Sequence, residues 1–247
     1  MLQYVHIQKK AVNIDSLIER NDRQKMSKSV YSLVLSDEIV RAIDSLAYRM
    51  NTSRSALIDR ILAEKLSMQT PEIRMRNIME NISSFFDEEI FRLQTAAGDG
   101  GMLIKSPLPY KYKPTIRYSV ELMREGKYLG RLKVSFRTQN AALVTLMNDF
   151  LTCFASIERR NLAQFTDIDI IMQIDNDKMT RMLNKPILKD TRKVSDPNLT
   201  AKAIADYVNF LDRTIKLYFE NADNRKQAIA LIDAAYKEHM KAVKVIV

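Results

Sequence analysis

The chain of 247 residues has no tryptophan, one cysteine, two histidines, five glycines and six prolines. A lone cysteine excludes an intramolecular disulfide. One cysteine and two histidines supply too few soft donors for a zinc finger or ribbon. No apolar run approaches the roughly 18 residues of a membrane span, so no membrane partner is expected. The first residues, MLQYVHIQKKAVNID, lack a basic start followed by an apolar core. They do not read as a secretion signal, and the expected compartment is the cytoplasm. The glycine cluster at 98–101 lacks the following Lys-Ser/Thr of a phosphate-cradling loop. There is no Gly-x-Ser-x-Gly, and neither His6 nor His239 is placed to activate a nucleophile. The chain therefore reads as a non-enzyme, with no cofactor and no metal.

What is present is globular in character. Hydrophobic residues make up 46% and charged residues 28%, enough apolar material for a packed core in one or two domains. Lys and Arg number 39 against 30 Asp and Glu, a net charge of +9. The excess is spread through the chain and forms no basic tail, so it hints at a polyanion partner without locating one.

Glycine and proline punctuate the middle of the chain. The glycines at 98–101 with Pro107, Pro109 and Pro114 predict a long loop over about 96–114. It carries Lys105, Lys111 and Lys113 beside Tyr110 and Tyr112, where local packing is the favoured reading. A second break covers 184–198. Thr70, Pro71 and Glu72 start a helix whose apolar stripe (Ile73, Ile78, Ile82, Phe85, Phe86, Ile90, Leu93) runs to about residue 94. Residues 115–137 switch to period two and predict a β-hairpin turning at 124–127. Its apolar face is Ile116, Tyr118, Val120, Leu122, Leu132, Val134 and Phe136. Its other face, Arg117, Arg131, Lys133 and Arg137, reads first as ordinary solvated surface.

A helix follows over about 139–163, with Leu143, Leu146, Phe150, Phe154 and Ile157 on a stripe and Cys153 as a small buried hydrophobe. Residues 166–183 fit either strand or helix, and their later spacing favours helix. Asp167, Asp169, Asp175 and Asp177 lack the Gly and the Glu of a calcium loop and read as caps and solvated charges. Two antiparallel helices, about 199–220 and 223–243, close the sequence.

The segment 28–66 is the most informative. Val30 to Leu35 alternate, with Tyr31, Leu33 and Leu35 on one face and Val30, Ser32 and Val34 on the other. Ser36 caps a helix that opens on Asp37 and Glu38 and carries Ile39, Ile43, Leu46 and Met50 inward. Asn51 suits a left-handed turn. Ser53 or Thr52 caps a second helix, with Leu57, Ile58, Ile61 and Leu62 as its buried positions. One strand and two helices of this size bury too little apolar surface alone, and the strand has two open edges. A symmetric dimer solves both problems, with two strands paired antiparallel over four helices.

This pattern resembles the ribbon-helix-helix family (the MetJ/Arc superfamily). The matching features are the alternating strand, the Leu35-Ser36-Asp37-Glu38 junction, the turn at 51–55 and the Leu57-Ile58-x-x-Ile61 stripe. In that family the paired strands enter the DNA major groove. The resemblance implies that Val30, Ser32 and Val34 face the bases, with Lys28 at the ribbon's end. Ser53, Arg54 and Ser55 then lie against a phosphate, and Tyr31, Leu33 and Leu35 form the dimer core. Valines at outward positions depart from the family's habit of polar side chains. They shift weight from direct readout to Lys28, phosphates and DNA shape.

The expected fold is mostly α with minor β (α+β): an extension over 1–27, a ribbon-helix-helix head over 28–69 and a larger C-terminal domain over 70–247. The expected function is a sequence-specific transcriptional regulator, most simply a repressor, bound to double-stranded DNA as a homodimer or a higher oligomer. The C-terminal domain would serve assembly, or bind a protein partner or a small-molecule effector in a pocket between hairpin 115–137 and helix 139–163. The alternative is a plasmid or phage partition or DNA-transfer accessory protein, or an antitoxin-like protein whose C-terminal region grips a partner.

Overall fold

The computed structural model describes residues 32–66, 70–95, 100–111, 113–165, 168–175, 178–190 and 192–247. In chain order they form helices Asp37–Arg49 (α1), Arg54–Lys65 (α2) and Pro71–Ile82 (α3), the last followed by a 3-10 turn at Ser83–Phe85. Four strands come next: Arg92–Thr95 (β1), Gly101–Pro107 (β2), Thr115–Leu122 (β3) and Tyr128–Phe136 (β4). Helix Ala141–Leu162 (α4) leads to strands Met172–Asp175 (β5), Lys178–Asn184 (β6) and Ile187–Leu188 (β7). Helices Pro197–Glu220 (α5) and Arg225–Ala242 (α6) precede strand Val245–Ile246 (β8). The fold is α+β.

Alternation builds the central sheet. Along β2, β3 and β4 every second side chain is buried, the pattern of strands with one face on a core. Six strands pair antiparallel in the order β1-β2-β3-β4-β6-β5. The inner face carries Met102, Ile104, Ile116, Tyr118, Val120, Leu132, Val134 and Met179, each at most 4% exposed. Against it lie Ile78 and Ile82 of α3, Phe150 and Phe154 of α4, and Ile204, Leu211 and Ile215 of α5. Each fully buried aliphatic or aromatic side chain there stabilises the fold by about 1.5–3 kcal/mol. Helix α4 is long and apolar enough to cross a membrane by length and composition, yet its apolar stripe is buried against this sheet.

The structure corrects three boundaries. Helix α3 starts as expected, with Thr70 Oγ1 accepting from Ile73 N at 3.2 Å, but it ends at Ile82 instead of about 94. Ser83 and Ser84 donate back to Glu80 O and Asn81 O, and Asp87 accepts from Glu89 N. Short polar side chains here offer the backbone local alternatives to the helix. Phe86 and Phe91 stay buried, packed edge to face at 5.0 Å.

The expected loop 96–114 contains β2. Met102 and Ile104 point inward, Lys105 points outward, and Pro107 sits at the strand's end opposite Thr115. The remaining turn packs Leu108 fully inside and sets Tyr110 on Phe219, while Lys111 is exposed. Tyr112 lies outside the described residues. The stretch 166–183, favoured as helix, instead carries the paired strands β5 and β6. Met172 and Ile174 face the core from β5, and Met179 and Leu183 face it from β6.

The hairpin of β3 and β4 and the antiparallel pair α5–α6 stand where the periodicity puts them. Gly130 marks an irregularity between β4 and β6. A Cβ there would lie 2.3 Å from Glu121 O, a backbone atom. Gly126, at φ 106°, turns the β3–β4 hairpin.

Candidate nucleic-acid interface

In the head, residues 32–36 form no strand in the single chain, and α1 packs on α2. Ser36 occupies the N-cap of α1 with extended dihedrals, but its side chain makes no capping bond, contrary to expectation. Asn51 has φ 48°, the left-handed conformation expected of it. Ser53, not Thr52, caps α2, its Oγ accepting from Ala56 N at 3.2 Å. The first backbone N–H groups of α2 have no partner within a helix and face outward with the positive end of the dipole. Ser53, Arg54 and Ser55 are all exposed there. Arg54 Nη2 reaches Asp44 Oδ2 at 2.6 Å, so the arginine expected on a phosphate is held by a carboxylate of α1 in the single chain.

The apolar face of this head is uncovered. Only Ala47, Leu57 and Ala63 are buried, and Ile43, Leu46 and Ile58 are half-buried. Ile39, Met50, Ile61 and Leu62, expected inside, are 40–49% exposed in one chain. Among the described residues no third layer covers the stripe that the two helices share. Leu33 is 50% and Leu35 36% exposed, whereas Val34 between them is fully exposed, which keeps the alternation of the segment. Ser32 is exposed. Lys28, Val30 and Tyr31 lie outside the described residues, as does His6.

A second polar surface lies on the outer face of the sheet. The register aligns Arg92, Lys105, Arg117, Ser135 and Lys178 in one row across five strands. The next row carries Gln94, Leu103, Ser119, Lys133, Thr180 and Gln173. Arg131 and Lys133 both hydrogen-bond Glu121. Burial pushes the Glu121 carboxyl up, but the bonds and charges of these two cations outweigh it and leave it below its ordinary value. The three hairpin cations expected on this side are there, with Arg137 exposed just past the strand. Arg92, Lys105 and Lys178 join them from strands whose pairing no local pattern reveals. At one corner Met182 is covered by Tyr128, Met123 and Ile171.

Two buried polar clusters lie under the inner face. Arg181 and Glu158 are at most 1% exposed and pair at 2.9 Å. Tyr207 donates to Glu158 at 3.0 Å, and Arg181 also donates to Val247 O at 2.9 Å. Burial raises the Tyr207 and Tyr236 hydroxyls well above their ordinary range, and Glu158 adds to the effect. The cavity beside this cluster is about 20 Å³, room for a single water and not for a substrate. The second cluster runs from Tyr118 to Asp212 at 2.9 Å, from Asp212 to Lys216 at 2.7 Å and from Lys216 to Ser106 at 2.9 Å. Both tie sheet to helices.

The remaining candidates resolve as follows. Cys153 is half-buried and its Sγ accepts from Arg225 at 3.3 Å, so it is not the fully buried hydrophobe expected. Arg225 grips Asp149 with two bonds of 2.7 Å, linking α6 to α4. Asp169 takes Lys127 and the Tyr128 hydroxyl, and Asp175 faces Lys178 across the β5–β6 hairpin. Asp167 and Asp177 lie outside the described residues. His239 stacks on Phe210, centroids 4.0 Å apart. The space expected between hairpin 115–137 and α4 is filled by Tyr118, Leu132, Val134 and Phe150. An open cleft of about 650 Å³ lies instead between α5 and α6, lined by Arg213, Lys216, Glu220 and Glu238 among others. Comparison with family models, with curated proteins and with solved structures finds no match to this chain.

Proposed function

We propose that the chain is a DNA-binding transcriptional regulator, most simply a repressor, whose residues 28–66 form a ribbon-helix-helix head with a second copy. The observation that carries this reading is the uncovered apolar face of the head beside a well-closed body. The segment before α1 and the two helices expose Leu33, Leu35, Ile39, Ile61 and Leu62. A second strand pairing antiparallel with the first would bury that set and leave Val34 and Ser32 on the outside of a two-stranded ribbon. Such a ribbon fits the major groove. The exposed start of α2, capped by Ser53, suits a backbone phosphate, and the Arg54 guanidinium would turn from Asp44 to donate to it. Occupancy of the operator follows mass action and weakens with salt.

The test is a genome-fragment binding selection with the full chain, followed by the Lys28→Ala/Ser32→Ala variant. The selected fragments should share a site with two-fold symmetry. The variant should lose discrimination between that site and scrambled duplex while staying dimeric. Unchanged affinity and footprint would remove the ribbon as the reader.

A further inference from the structure

The outer sheet face gathers six cations, Arg92, Lys105, Arg117, Arg131, Lys133 and Lys178, from five strands. Two carboxylates, Glu121 and Asp175, accompany them, a far more basic ratio than that of the whole chain. Helices α3, α4, α5 and α6 pack on the opposite face. Neighbouring strands are about 4.8 Å apart, so the row from Arg92 to Lys178 crosses about 20 Å. Arg117, near its middle, has a buried Nε without a hydrogen-bond partner.

We propose, resting on the reading of the chain as a DNA-binding protein, that this face is a second, sequence-independent contact surface for the phosphates of duplex DNA. Among the described residues its solvent-facing side chains include no exposed aromatic ring, and its apolar groups are half-buried Leu103 and, at one corner, half-buried Met123 and Ile171. A protein partner would need an aromatic or aliphatic anchor. A membrane surface would need apolar groups to insert, and unstacked single-stranded bases would need rings to stack on. What the face offers is Lys and Arg interleaved with the hydroxyls of Ser119, Ser135 and Thr180, the donors that contact phosphate and carry no base information. Glu121 holds Arg131 and Lys133 in place, while Arg92, Lys105 and Lys178 lie toward the edges.

The full chain and its Arg92→Gln/Lys105→Gln/Lys178→Gln variant are titrated with scrambled duplex over a range of salt. Thermal melting checks that the variant is folded. The slope of log affinity against log salt should fall by about 0.9 for each phosphate contact removed, so by about 2 to 3. Lys28→Ala/Ser32→Ala removes one cation and should lower that slope by no more than about 0.9. An unchanged slope in the triple variant, with the wild type still binding DNA, overturns this inference alone. Failure of the wild type to bind any duplex at low salt overturns the functional reading as well. Loss of binding to vesicles of acidic phospholipid in the triple variant, with the DNA slope unchanged, would assign the face to a membrane and also overturn the inference.

Discussion

Arg181 shows how much a single buried charge can govern. It stands on the inner face of the sheet, where every neighbouring position is apolar, and it is tolerated because Glu158, the Val247 carbonyl and the face of Tyr207 receive it. Arg181→Met leaves Glu158 charged and unpaired in the core, at an expected cost of about 3–5 kcal/mol. Arg181→Met/Glu158→Leu should recover much of that loss in urea unfolding; a double variant no more stable than the single would show that the pair is not the unit. His239 provides a pH counterpart. Burial, with Arg213 next in effect, pushes its pKa from 6.5 to about 4. The unfolded chain therefore takes up this proton first as pH falls. The contribution is complete above about pH 6.5 and is lost progressively down to about pH 4, about 2 kcal/mol at most after discounting for partial exposure. His239→Phe keeps a ring on Phe210 and should flatten the stability profile across that interval.

Secondary structure was legible where one local period ran uninterrupted. The β3–β4 hairpin, α4, α5 and α6 all follow from spacing alone; residue type gave the left-handed Asn51 and left the cap of α2 between Thr52 and Ser53. Strand β2 was hidden because glycines and prolines flank a short run that reads as loop. Strands β5 and β6 were hidden because acidic and basic residues blur the alternation. What no period could reveal was pairing. Arg92, Lys105 and Lys178 reach the basic face only through the order β1-β2-β3-β4-β6-β5, and the Arg181–Glu158 pair joins a strand to a helix 23 positions away. The irregularity at Gly130 is also tertiary in origin. Gly130→Ala drives a methyl into the Glu121 carbonyl, so β3 and β4 must part. The expected loss is about 2–3 kcal/mol, read in thermal melts. A neutral substitution would mean that the strands separate without cost.

At the scale of the whole molecule, the body closes its own core while the head leaves its apolar face open. That contrast is the ground for proposing that the head carries the dimer contact. Leu33→Asp would bury an unpaired carboxylate in the proposed strand pair, at a cost of several kcal/mol. It should yield a monomer by light scattering, with the body's melting transition unchanged. A dimer of undiminished stability would place the interface elsewhere.

The clasp of β8 on β7, with Arg181 reaching Val247 over 66 positions, bears on the order of events during synthesis. At about 5–20 residues per second, roughly 3–13 s separate the emergence of Arg181 from that of its last partner. The head is synthesised long before. On the proposed dimer, neighbouring nascent chains on one messenger would offer their heads for pairing while their bodies are still open.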